Sequence, residues 1–84
     1  MPLRLHDLDR AEMAVLDAVT KVRKTNKGGP STKVTTHPDY VSARGRWEAV
    51  AEEMYKGGSA LERARQKIGE AISAVIKNVD QGRI

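Results

Sequence analysis

The stretch Ser59-Ala60-Leu61-Glu62-Arg63-Ala64-Arg65-Gln66-Lys67-Ile68-Gly69-Glu70-Ala71-Ile72-Ser73-Ala74-Val75-Ile76-Lys77-Asn78-Val79 decides how this chain is read. Leu61, Ile68 and Val75 recur every seven residues, Ala64 and Ala71 lie three positions further on, and Ile72 and Val79 lie four further on. At 3.6 residues per turn these positions share one face, so the pattern predicts an amphipathic helix over 59–79. Ser59 and Glu62 have the spacing of a capping box, and Asp80-Gln81-Gly82 supplies a stop. Such a helix would be roughly 30 Å long at ~1.5 Å per residue.

Working outward, the same period appears near the start of the chain. Leu8, Val15 and Val22 are seven apart, with Ala11, Ala18 and Val19 on the same face, and Asp9 with Glu12 repeats the capping spacing. A helix over 9–24 is expected, its last turn carrying Lys21, Arg23 and Lys24 against the negative end of its dipole. A further helix is expected over 38–55, opened by Pro38 with Thr36 as a cap, and carrying Val41, Trp47, Val50, Ala51 and Met54 on its apolar face. Gly45 weakens its start, and Lys56-Gly57-Gly58 stops it.

Residues 25–37 read as a loop. Gly28-Gly29-Pro30 punctuates it, and the β-branched, polar run from Thr32 to Thr36 allows at most a short extended segment around Val34. A connection this long in a small domain is either functional or mobile. The expected fold is therefore all-α in one domain, 1–84: an antiparallel helical hairpin or small three-helix bundle with a long basic loop. The first and last helices are expected to face each other as an antiparallel pair, braced by the middle one.

A domain of 84 residues buries only roughly 60% of the surface its unfolded chain exposes, so the core is thin. It has no Phe, one Trp and two Tyr, and its ten Ala favour helices over sheet. The absence of Cys removes disulfides, thiolate metal sites and a thiol nucleophile, and points to a reducing, cytoplasmic setting. No apolar run approaches the ~20 residues of a membrane span, so no membrane role is expected.

Charge is unevenly placed. Between residues 18 and 47 seven bases (Lys21, Arg23, Lys24, Lys27, Lys33, Arg44, Arg46) stand against one acid, Asp39, giving that stretch +6 and the rest of the chain −2. A basic middle between mildly acidic arms suits an anionic partner. With Tyr40 and Trp47 nearby, the stretch matches phosphate contact with base stacking, although Trp47 also falls on an apolar helix face.

The chemistry-bearing residues form no site that can be recognised from spacing. His6 and His37 stand alone beside Asp7, Asp9 and Asp39, without the three or four ligands a metal needs. Ser31, Ser42, Ser59 and Ser73 lack the context of an activated nucleophile, and Glu48, Glu52 and Glu53 suit a solvent face. Gly28 to Lys33 has the residue types of a phosphate loop, but it follows a helix where that motif follows a strand. The last two helices outline a helix-turn-helix, but Glu62 occupies the first turn, where phosphates would be approached.

A non-enzymatic protein without cofactor or small-molecule substrate is therefore expected. It would bind a protein partner or self-associate through the apolar stripe of Leu61, Ile68, Ile72, Val75, Ile76 and Val79 together with Leu16. The alternative is a small nucleic-acid-binding protein using Lys21, Arg23, Lys24, Lys27, Lys33, Arg44 and Arg46.

Overall fold

A computed structural model describes residues 5–25 and 32–83, and all secondary structure among them is helical. Four helices follow one another: α1 (Leu5–Thr25), α2 (Thr32–Thr36), α3 (Pro38–Tyr55) and α4 (Gly58–Asp80). The three long ones form an up-down-up bundle measuring 40 × 20 × 20 Å. Lys21 and Asp39 line one end of the furrow between α1 and α3, while Asp7 and Val50 line the other, so these helices are antiparallel. α4 returns beside α3, and Arg65 reaches Glu48 across their contact.

The periodic residues supply the core. Leu8, Ala11, Val15, Val19 and Val22 of α1 meet Trp47 and Ala51 of α3 and Leu61, Ile68 and Ile72 of α4 in one cluster, with Val79 also buried near the end of α4. Trp47 is its largest fully buried side chain, and it compensates for a lining otherwise made of small aliphatics. Every buried side-chain nitrogen and oxygen among the described residues has a partner.

The pairing of the first and last long helices differs from the sequence expectation. They do pack together, but in parallel: Leu8 shares a cavity with Ala64 and Lys67 near the two N-termini, and Arg23 binds Asp80 near the two C-termini. Two chain reversals between them require this direction. Nor is α3 a mere brace, since α1 packs more extensively on α3 than on α4.

Helix ends also depart from expectation. α1 begins at Leu5, so Asp9 and Glu12 lie inside it and form no box at its start. The expected loop over 25–37 contains α2, whose Val34 is fully buried against the core. Burial of that one side chain overrides the weak helix propensity of its β-branched neighbours. The N-cap of α3 is His37 and not Thr36: its Nδ1 accepts a hydrogen bond from the Asp39 amide at 3.1 Å. Gly45 lies within α3 with open space around it, and Val41 is 53% exposed, outside the buried face.

Both α3 and α4 stop where expected, but α3 does so on Lys56, left-handed at φ +52° with its amide bonding Glu52 O, and α4 on a glycine. Gly82 takes φ +74°, its amide bonding Val79 O, while the Arg83 amide bonds Asn78 O at 2.8 Å. This pair of bonds is a Schellman motif, which satisfies carbonyls that the helix leaves open. Between α3 and α4, Lys56, Gly57 and Gly58 all take positive φ, so α4 starts at Gly58 with Gly57 as its N-cap. Ser59 consequently falls inside the helix and makes no cap.

Candidate interaction site

The basic residues singled out from the sequence separate into two groups. Arg23 is buried at 6% exposure, and its guanidinium is spent inside the molecule. Nε donates to Asp80 Oδ1 at 2.7 Å and Nη2 donates to Oδ2 at 2.9 Å, a bidentate fork between α1 and α4. These bonds raise the guanidinium pKa above its ordinary value against the opposing effect of burial. Asp80 lies at a helix C-terminus, where a carboxylate is unfavourable, and the cation beside it offsets that.

Arg44 is likewise engaged. Its Nη1 donates to Glu48 Oε2 at 2.7 Å, one turn along α3, and its guanidinium carbon stacks 4.4 Å from the centre of the Trp47 ring. Glu48 also accepts from Arg65 Nε at 2.6 Å, and Arg65 Nη1 donates to Glu62 at 2.8 Å. Arg44, Glu48, Arg65 and Glu62 thus form a chain of ion pairs linking α3 to α4. The hydrogen bond from Arg65 is the main reason the Glu48 carboxyl is held below the usual range, with Arg44 adding to it and burial opposing it.

Lys21, Lys24, Lys33 and Arg46 are solvent-exposed, and Lys27 lies outside the described residues. The basic segment is therefore divided between cations turned to solvent and cations that hold helices together. The sequence does carry a signal for Arg23. It lies four residues after Val19 and eight after Val15, on the edge of the buried stripe.

Most of the apolar stripe expected to meet a partner faces inward. Leu61, Ile68, Ile72 and Val79 are buried in this chain's own core, and Leu16, Val75 and Ile76 are half-buried against it. The accessible apolar surface lies elsewhere. Met13 on α1 is 63% exposed, and Val41 on α3 is 53% exposed.

A furrow runs between α1 and α3, and the sequence expectations did not include it. One hollow of about 420 Å³ lies against Ala14, Ala18 and Ala43, with Lys21, Asp39 and Arg46 at its rim. A second of about 270 Å³ continues it past Ala11 and Val50 towards Asp7 and Arg10, and the two share Ala14 and Arg46. Ala14 and Ala18 on the α3-facing flank of α1 produce this groove, because a methyl group leaves the space that a longer side chain would fill. The signal was present in Ala14, a small residue outside the core stripe that carries Ala11 and Ala18.

His6 Nε2 stands 3.4 Å from Asp7, and His37 is occupied as a cap. Among the described residues no group of three or more His, Cys, Asp or Glu is placed to hold a metal, and no helix is long and apolar enough to cross a membrane. Compared with protein-family models, with curated proteins and with solved structures, the chain finds no match in any of the three.

Proposed function

We propose that this is a non-enzymatic helical interaction module that binds a protein partner or a second copy of itself. The observation that carries this reading is the alanine-floored furrow between α1 and α3, which has charged rims and leaves the outer sides of two long helices uncovered. A third or fourth helix laid there would bury small apolar side chains while its polar flanks met the rim charges. The contact surface is thus moved from the α4 stripe, which the chain uses for its own core, to the outer face of α1 and α3.

Nucleic-acid contact is the second reading, supported by the exposure of Lys21, Lys24, Lys33 and Arg46. It is weakened because Arg23 and Arg44 are bound to carboxylates of the same chain. Chemical cross-linking and affinity capture after nuclease digestion, at high salt, separate the two. A stoichiometric protein product, homomeric or heteromeric, is expected. Loss of every partner on digestion, with binding that returns only on adding DNA or RNA at low salt, would overturn the assembly reading.

A further inference from the structure

We propose that a second copy of this chain docks antiparallel along the outer face of α1, with Ala14 at the two-fold axis; this deepens the assembly reading and rests on it. Asp7, Arg10, Ala14, Asp17 and Lys21 follow one another at spacings of three and four, so they form a single stripe on α1. Read forwards, its charges are minus, plus, neutral, minus, plus. Read backwards, every sign is reversed and the neutral centre stays in place.

A two-fold contact requires this kind of relationship, because residue i meets residue j while j meets i. Asp7 and Lys21 each lie seven residues from Ala14, so the acid of one copy comes level with the base of the other. Arg10 lies four residues from the centre and Asp17 three, a difference in height of roughly 1.5 Å that the long arginine side chain spans. A parallel contact in register would instead set each charge against its own copy. The pattern therefore selects the antiparallel direction.

Two further observations bear on the same contact. Met13, 63% exposed, lies one residue before Ala14 and roughly 100° around the helix from it, so it flanks the contact and leaves the axis to Ala14. Ala14 itself is exposed and small, so the two helix backbones can approach closely. Asp39 and Arg46 of α3 complete the rim of the furrow, which with the α1 stripe then carries three acids and three bases. That face is neutral on a chain of net charge +4, so two copies meet there without opposing net charge, and a polyanion gains nothing from it.

Sedimentation of the full chain from about 10 µM to about 1 mM, the range of a weak self-contact, tests this. Dimer formation that rises with concentration is expected. Lys21→Glu places two acids opposite each other at both ends of the contact and should weaken the dimer roughly tenfold or more, as should Asp7→Lys. The double variant exchanges the signs and should restore the dimer, while Ala14→Glu should abolish it. Circular dichroism of each variant should show unchanged helicity, which sets aside loss of fold as the cause. A dimer indifferent to all three substitutions overturns this face and leaves the assembly reading standing. A wild-type chain that stays monomeric throughout overturns the self-contact, and the assembly reading falls with it only if cross-linking and capture also yield no protein.

Discussion

Arg23 and Asp80, 57 residues apart in the sequence, close one end of the bundle through two side-by-side hydrogen bonds. They fix α4 parallel to α1 and lock the last turns of both helices together. Asp80→Ala would leave a buried guanidinium without its carboxylate, and the melting temperature should fall by several degrees. Lys24→Ala, on the exposed neighbour, should leave it unchanged. Adding Arg23→Met to Asp80→Ala should recover much of the loss, because an apolar side chain needs no counterion there. Thermal denaturation followed by circular dichroism checks all four proteins.

Glu48 gives the α3–α4 contact a pH dependence with a definite sign. Its carboxyl is held below the usual range by Arg65 and then Arg44, so its folded value lies under its unfolded one. The stability it contributes is fully present above the unfolded value and is lost as the pH falls through the folded one. Glu48→Gln should therefore melt lower than the wild type at pH 7. The gap between them should close as the pH is taken well into the acid range, and a gap that widened on acidification would contradict the assignment.

Lys56 is the only described non-glycine residue with positive φ, at +52°. A side chain there is strained, and glycine removes the strain while making the unfolded chain more flexible. Lys56→Gly should raise stability by about 0.5–1 kcal/mol, since relief of the left-handed strain outweighs the added entropy. Gly57→Ala, at φ +86° and ψ −166°, should lower stability by about 1–3 kcal/mol. Urea titrations of the two variants should move in opposite directions from the wild type.

α2 is a single turn held to the bundle by Val34, which is fully buried. Val34→Ala should cost about 1–3 kcal/mol through lost burial and the cavity left behind. Amide exchange in residues 33–37 should accelerate more than exchange in the middle of α1 or α4. Uniform acceleration along the chain would show that α2 does not open separately.

The seven-residue recurrences at Leu8, Val15 and Val22 and at Leu61, Ile68 and Val75 were enough to read the bundle, because burial on a helix is a local, periodic property. The stops at Lys56-Gly57-Gly58 and Gly82 were also legible, because the positive φ of Gly57, Gly58 and Gly82 leaves a compositional trace, whereas the left-handed Lys56 leaves none. A stripe records which face is buried but not which way its neighbour runs, so the direction of α4 had to come from counting reversals. α2 was hidden because Thr32 to Thr36 has the composition of an extended segment, and only the tertiary position of Val34 decides otherwise.

The surface was harder to read than the interior. Charge clustering located Lys21, Lys24, Lys33 and Arg46, but it could not distinguish them from Arg23 and Arg44, whose partners are Asp80 at the far end of the chain and Glu48 one turn away. Apolar residues of α4 were equally ambiguous, because a stripe that fills the chain's own core and one that waits for another molecule have the same period. The mirrored signs around Ala14 lie in the sequence too, but they acquire meaning only once α1 is known to turn that stripe outward.

Three long rods laid alternately put the first turn of α1 and the final turn of α4 at opposite extremities of a 40 Å body. Polypeptide attached at either extremity would therefore leave in opposite directions, and tension applied between the two would slide α1 along α4 instead of peeling them apart turn by turn. The apolar rows and the Arg23 clasp would all resist such sliding together.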